Sequence, residues 1–177
     1  MTDRHAVHFT SARTESGSDL WQTPLDLFDR LDAEFHFDLD AAASEGNALC
    51  PSFYTADGFY VAGTLYVSGA DALSDNRAWP HRCVAYLNPP YSMLREFLAR
   101  ALAESRRGCT VVALVPARTD TRAWAESAWK AAEVRFITGR LRFGGASASA
   151  PFPSAILVFR PGHEGPPTCS LIPARFP

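Results

Sequence analysis

Two short runs of apolar residues constrain the fold of this chain more than any other feature of its sequence. They are VAYL at 84–87 and TVVALV at 110–115. Such runs lack the polar alternation of a strand with one exposed face, and they are typical of parallel strands that are covered on both faces. The sequence therefore predicts a buried sheet.

Capping residues and helical spacing place helices around these strands. Thr23 before Pro24 predicts a helix start, because Thr caps free amides and Pro fits the first helical position. Ser92 is a second predicted cap, and Gly108 ends the helix that follows it. The predicted elements, in chain order, are a helix from Pro24 to about Ala33, strands at 35–40 and 84–87, a helix from Ser92 to Gly108, a strand at 110–115, a helix at 119–132, and strands at 133–138, 140–143 and 154–160.

The predicted fold class is α/β, with a mostly parallel sheet and an antiparallel C-terminal hairpin. Strand and helix alternate through the middle of the chain, which is typical of parallel strands. Strands 133–138 and 140–143 are joined at Gly139 without a helix between them, and this indicates the hairpin. Open α/β sheets bind ligands at the carboxyl ends of their strands, so we expect the site at that edge.

Length and composition fit one globular domain, since 47% of the 177 residues are hydrophobic and 20% are charged. Residues 1–18 are polar and residues 161–177 carry five prolines, so we predict a flexible N-terminal segment and a loosely ordered Pro-rich tail around a domain at 19–160. No apolar run approaches the roughly 20 residues of a membrane span. We expect a soluble cytoplasmic protein that does not contact membranes. The four cysteines form no CxxC pair, so we expect no metal site.

Charge is distributed unevenly along the chain. Residues 1–90 hold 5 Lys+Arg and 13 Asp+Glu, whereas residues 91–160 hold 11 Lys+Arg and 5 Asp+Glu. A basic half suits contact with a nucleic acid on one side of the molecule. An ordinary solvated surface explains the same distribution equally well, so charge alone leaves both interpretations open.

The tetrad Asn88-Pro89-Pro90-Tyr91 directly follows the first apolar run. One interpretation is a rigid turn beside a core tyrosine. The other is a site for a planar amino group, because the Asn88 side-chain oxygen and the Pro89 carbonyl can accept its two hydrogens while the prolines hold both acceptors in place. Tyr91 offers a flat ring on which an extruded base can stack. Catalysis of this kind needs no cysteine nucleophile.

The tetrad and its surroundings resemble the phage-type DNA N-6-adenine methyltransferase family. The resemblance rests on Trp21-Gln22-Thr23-Pro24, FDLDAAA at 37–43, Cys50-Pro51, NPPYS at 88–92, PARTDTRAW at 116–124 and PFPSAILVF at 151–159. It implies a Rossmann-like S-adenosylmethionine-dependent methyltransferase fold. It also implies methyl transfer to the exocyclic amine of adenine in double-stranded DNA, in a phage or prophage setting, with the tetrad as the catalytic residues.

The resemblance also implies a set of residues at the methionine end of the cofactor. Trp21, Thr23 and Pro24 would lie against that end. Asp40 would serve near the amino group or the ribose, and Asp38 is a second candidate acid. An edge strand with solvated carboxylates is the alternative interpretation of these two aspartates.

At the adenine end of the cofactor, the resemblance implies Asp71. Asp57 is the alternative, because residues 59–70 look like an insertion that obscures the choice. Ala41, Ala42 and Ala43 stand where most methyltransferases carry a glycine-rich loop.

Four charged residues are candidates for DNA contact. Arg118 and Asp120 follow the strand at 110–115 and would lie beside the target strand, with helix capping as the alternative role of Asp120. Arg140 and Arg142 would reach DNA from the hairpin, together with the loop at 144–150. Competing functions with the same tetrad are methylation of RNA or of a protein glutamine, and an inactive module that only binds DNA.

Overall fold

A computed structural model describes residues 21–74, 78–144 and 148–174 of the chain. The predicted N-terminal segment 1–18 lies outside the described residues. The helices are α1 (Leu25–Phe35), α2 (Leu94–Arg106) and α3 (Arg122–Glu126), with 3₁₀ turns at Tyr91–Met93 and Ala128–Lys130. The strands are β1 (Leu39–Asp40), β2 (Ser52–Tyr54), β3 (Gly58–Val61), β4 (Thr64–Ser68), β5 (Val84–Leu87), β6 (Thr110–Pro116), β7 (Glu133–Thr138), β8 (Ser154–Phe159) and β9 (Thr168–Pro173).

All nine strands of the described residues form one mixed sheet, in the order β4-β3-β2-β1-β5-β6-β8-β7-β9. Neighbours are parallel across the centre, from β2 through β1 and β5 to β6. Antiparallel pairs flank this centre, since β3 and β4 extend one side and β8 lies between β6 and β7 on the other. The α/β class is confirmed, while the prediction of a mostly parallel sheet holds only for the central strands.

The residues predicted as a hairpin, 133–138 and 140–143, do not pair with each other. The antiparallel neighbour of β7 is β8, and its other neighbour is β9, so neither edge of β7 is left for residues 140–143. These residues instead turn inward at Leu141 and Phe143, which are buried, and reach an isolated bridge between Gly144 and Gln22. The hairpin prediction was wrong in its second strand.

Strand β9 lies in the segment that was predicted to be a loosely ordered tail. It pairs in parallel with the whole length of β7, from Glu133 opposite Thr168 to Thr138 opposite Pro173. Proline is tolerated in an edge strand and at its ends, so a Pro-rich composition did not exclude a strand here. The tail prediction does not hold for residues 168–173.

Helix boundaries differ from the predicted ones at two caps. Thr23 does not cap α1, whose cap position is Pro24, because its hydroxyl is hydrogen-bonded to the Tyr86 hydroxyl at 2.7 Å. Met93, the last residue of the 3₁₀ turn that also contains Ser92, occupies the cap position of α2. The long helix predicted at 119–132 is divided into α3 and a 3₁₀ turn.

The sheet is covered on both faces, as the apolar runs predicted. Helices α2 and α3 pack on one face through Leu98, Ala101 and the fully buried Trp124. Helix α1 packs on the other face through Leu27 and Phe28. No helix in the described parts of the chain is both long enough and apolar enough to cross a membrane.

This topology brings several loops to one edge. Strands β1, β2, β5, β6 and β7 run in the same direction, so the loops that follow them lie together at their carboxyl ends. Chain order reverses between β1 and β5, because the chain leaves β1 to one side of the sheet and returns on the other. A crevice outside such a switch point is where open α/β sheets bind ligands.

Candidate active site

Two adjoining cavities open at the switch point between β1 and β5. The larger has a volume of about 750 Å³, and the smaller about 410 Å³. Both volumes fall within or near the range of pockets that bind small molecules, roughly 300–1,000 Å³. The cavities share a wall formed by Gln22, Ala42, Gly46, Asn47 and Asn88. A single elongated ligand can therefore occupy both.

Asn88 lies in this shared wall because it directly follows β5, the strand beside the switch point. Its Nδ2 donates to the backbone carbonyl of Trp21 at 2.9 Å. That bond engages the nitrogen side of the amide, so the side-chain oxygen remains as an acceptor on a residue that lines both cavities. Pro89 is buried and Pro90 lines the larger cavity.

An aromatic cluster packs beside the tetrad. The Trp21 ring is stacked between Phe143 and Phe152, with ring centroids 5.0 and 5.4 Å away. Tyr91 meets the edges of Trp21 and Phe152, at 6.1 and 5.5 Å. The guanidinium of Arg118 lies over the Phe152 ring at 4.9 Å. The cluster joins the segment before α1, the tetrad and the loop before β8 into one surface.

Asp40 ends β1 and is almost fully buried, with 4% of its surface exposed. Its carboxylate accepts the backbone N–H groups of Ala42 at 3.3 Å and Leu49 at 3.2 Å, which fixes both ends of the loop after β1. Burial raises the pKa of Asp40 to about 6, an effect that these two hydrogen bonds oppose. Asp40 lines the smaller cavity together with Thr23 and Pro24, so three predicted cofactor residues lie there.

The other predicted acids are distributed differently. Asp71 and its alternative Asp57 both line the larger cavity, because the β3–β4 hairpin returns the chain to the carboxyl edge. Asp71 also accepts hydrogen bonds from the Leu73 amide and the Ser74 hydroxyl, at 2.8 and 3.1 Å. Asp38 is exposed and its carboxylate accepts the amide of Val84, at the start of β5. Asp38 lines neither of the two cavities.

The predicted DNA-contacting residues lie on loops at the carboxyl edge. Arg118 and Asp120 are exposed between β6 and α3, and Arg140 is exposed just after β7. Thr121, and not Asp120, occupies the cap position of α3, so the alternative role of Asp120 as a helix cap is not met. Arg142 is also exposed, and it lines the smaller cavity, as Asp40 does.

Several cavity residues were missed by the sequence analysis. The loop after β1 contributes Glu45 and Asn47 to the larger cavity, and Tyr54 and Phe97 give it aromatic walls. Glu45 is held by the Tyr60 hydroxyl, which donates to its carboxylate at 2.9 Å. The small and polar residues Ala41–Asn47, directly after a strand that ends in an acid, are the sequence signal that could have identified this loop.

Two comparisons with known proteins agree with this arrangement. A family model described as DNA N-6-adenine-methyltransferase (Dam) matches residues 10–165 of the chain. A DNA N-6-adenine-methyltransferase of Escherichia phage T1 is 32% identical over 124 residues, which cover 70% of this chain and 46% of that protein. The chain thus spans about half the length of this curated relative.

Proposed function

The chain belongs to the DNA N-6-adenine-methyltransferase family, and on that premise we propose that it transfers a methyl group from S-adenosylmethionine to the exocyclic amino nitrogen of adenine in double-stranded DNA. The observation that carries the proposal is the position of Asn88. Asn88 lies in the wall that two cavities share, outside the switch point of the sheet. We propose that this sheet is Rossmann-like.

The residues of the larger cavity suit the adenosine part of the cofactor. Tyr54 and Phe97 provide apolar walls for a purine ring. Asp57 and Asp71 provide carboxylates that can accept hydrogen bonds from ribose hydroxyls or from an amino group. When bound, S-adenosylmethionine supplies an electrophilic methyl group on its sulfonium sulfur. The rest of the cofactor is the leaving group, a neutral thioether.

The tetrad then has one task, which is to hold the amino group of the base. The lone pair of that nitrogen is delocalised into the ring, so the amine is a poor nucleophile until its hydrogens are held out of the ring plane. The Asn88 oxygen and the Pro89 carbonyl accept the two hydrogens, and the Asn88–Trp21 bond keeps the amide from rotating. Neither acceptor is basic, so the proton that the nitrogen loses passes to solvent.

The base reaches this position only if it leaves the duplex. Tyr91 provides the ring on which it stacks, next to Phe152 in the aromatic cluster. We place the DNA backbone against the exposed residues Arg118 and Arg140, whose guanidinium groups can bind phosphates. Asp120 lies near the DNA in this arrangement, because all three residues are at the carboxyl edge that carries the tetrad.

A labelling experiment tests the proposal. The wild-type protein is incubated with methyl-labelled S-adenosylmethionine and, separately, with adenine-containing duplex DNA, RNA and protein, and the products are digested and identified. We expect label in N6-methyladenine from DNA. Asn88→Ala should lower the rate by about 10²- to 10³-fold, as loss of one preorganised polar contact does, while Asn88→Asp should retain more because an acceptor oxygen remains. Label on cytosine, RNA or protein would contradict the proposal.

A further inference from the structure

The side chain of Tyr86 carries a hydroxyl into the core on the α1 face of the sheet. Tyr86 is the third residue of β5 and is 1% exposed. Its ring packs against Phe28 and Phe37, with ring centroids 5.1 and 5.4 Å away. Burial raises the pKa of Tyr86 well above its ordinary value, so the phenol stays protonated at neutral pH. A buried hydroxyl of this kind needs a hydrogen-bond partner.

That partner is the hydroxyl of Thr23, at 2.7 Å. Thr23 is also buried, and it belongs to residues 21–24, which lead into α1 and which we call the entry segment. Because both residues are buried, bulk solvent competes little with the bond between them. The bond therefore attaches the entry segment to a side chain of a central strand.

The entry segment also holds Asn88, two residues after Tyr86. Side chains alternate along a strand, so positions 86 and 88 are expected on the same face of the sheet. The two residues that flank Tyr86 in β5 belong to the core on the other face. The carbonyl of Trp21 accepts the Asn88 Nδ2 group at 2.9 Å. The entry segment thus bonds to both side chains, to one through Thr23 and to the other through Trp21.

The residue between these two contacts is fixed as well. The Gly144 amide donates to the Gln22 carbonyl at 2.8 Å, in the isolated bridge between these residues. The approach is close, because a Cβ added to Gly144 would lie 3.1 Å from the Cβ of Gln22. Three consecutive residues are therefore each bonded to a different part of the chain, which leaves the peptide groups between them little freedom to rotate.

We infer that Tyr86 is a positioning residue for methyl transfer. Its hydroxyl holds Thr23, which keeps the Trp21 carbonyl in place to accept from Asn88. The inference rests on the proposed function, in which the Asn88 oxygen accepts a hydrogen of the adenine amine. An Asn88 amide turned by half a rotation would present its NH₂ group to that amine, and this group has no lone pair to accept with. Tyr86 acts through Asn88 and touches neither the base nor the methyl group.

The test removes one hydroxyl at a time. Tyr86→Phe keeps the packed ring and loses the hydroxyl, Thr23→Val loses the other hydroxyl, and Thr23→Ser keeps it. Tyr66→Phe is the matched control, because Tyr66 lies in β4 and is 74% exposed. Two quantities are measured: the single-turnover rate of methyl transfer to duplex DNA at saturating S-adenosylmethionine, and the Kd of S-adenosylhomocysteine by calorimetry without DNA.

We expect Tyr86→Phe to lower the rate by about three- to tenfold, the usual effect of losing one neutral hydrogen bond, and to leave the Kd within about twofold. Thr23→Val should lower the rate similarly, the double variant should be no slower, and Thr23→Ser should retain the rate. Tyr66→Phe should change neither quantity.

A comparison in the Asn88→Ala background separates positioning from other roles. With the Asn88 amide removed, Tyr86→Phe should slow the remaining reaction no further, because Tyr86 acts only through that amide. The same three- to tenfold loss in this background would overturn the inference. A weaker Kd with an unchanged rate would also overturn it, since Tyr86 lines the smaller cavity and would then contact the ligand directly.

Side-chain hydrogen exchange gives a readout that does not depend on activity. The NH₂ signals of Asn88 are identified in ¹⁵N spectra by their absence from Asn88→Ala, and their exchange with water is measured without DNA. We expect this exchange to be about three- to tenfold faster in Tyr86→Phe and unchanged in Tyr66→Phe. Equal exchange rates in Tyr86→Phe and the wild type would contradict the inference.

These results are separable from the proposed function. If DNA is not methylated while Tyr86→Phe accelerates the exchange of the Asn88 amide, the hold of Tyr86 on Asn88 stands and the activity fails. If DNA is methylated but Tyr86→Phe reacts at the wild-type rate, the activity stands and the positioning role fails.

Discussion

Replacement of Asp40 by Asn should change how the stability of the protein depends on pH. Burial raises the pKa of Asp40 from 3.8 to about 6. Because the folded state binds this proton more tightly than the unfolded chain, the contribution to stability is fully present below about pH 4 and is lost as pH rises through about 6. About two pKa units correspond to about 3 kcal/mol, of which about 2 kcal/mol should be lost between pH 4.5 and pH 7.

Urea unfolding of the wild type and of Asp40→Asn, followed by circular dichroism at several pH values, measures this quantity. The Asn side chain keeps one acceptor oxygen for the Ala42 and Leu49 amides, so the variant has an offset that does not depend on pH. The free energy of unfolding of the wild type, minus that of the variant, should therefore fall by about 2 kcal/mol over this range. A difference that stays constant to within about 0.5 kcal/mol would refute the buried, unpaired state of Asp40.

Three further predictions concern ligand and DNA contacts. Tyr91→Phe keeps the stacking ring and should retain most of the single-turnover rate of methyl transfer. Tyr91→Ala should lower that rate by about tenfold or more, since stacking is worth about 1–3 kcal/mol per base. Equal losses of rate in the two variants would exclude stacking as the role of Tyr91. S-adenosylhomocysteine should quench the fluorescence of the wild type but not of Trp21→Phe, and quenching that persists in a variant that still binds would place Trp21 away from the ligand. Joint replacement of Arg118 and Arg140 by Ala should reduce the slope of log DNA affinity against log salt concentration by about 0.9 for each lost phosphate contact. Arg106→Ala should leave this slope unchanged. An unaltered slope in the double variant would place the DNA on another surface.

The central strands, and the edge of the sheet at which the candidate site lies, could be predicted from the sequence because both depend on local patterns. The apolar runs at 84–87 and 110–115 became β5 and β6 almost to the residue. Asn88 is at the carboxyl edge because it directly follows β5. A pattern that spans four to seven residues can be recognised without information about distant parts of the chain.

Features that depend on distant contacts were not predictable in the same way. Asp38 and Asp40 alternate as in a strand, but β1 has only two residues, so Asp38 lies before it and binds the amide of Val84. Arg142 lines a cavity because residues 140–143 turn inward, and they do so because both neighbours of β7 are other strands. Spacing along the chain carries no information about which edge of a strand is already occupied.

Strand β9 determines how far this chain can be truncated at its C-terminus without disrupting the sheet. With β9 in place, β7 has a neighbour on each side, so its amides should be among the slow ones in hydrogen exchange. A shortened protein that ends at residue 160, as sequence patterns would recommend, removes β9 and turns β7 into an open edge. Open edges recruit strands from other molecules, so such a fragment should exchange the amides of β7 quickly and aggregate on storage. The boundary for expression therefore lies beyond Pro173.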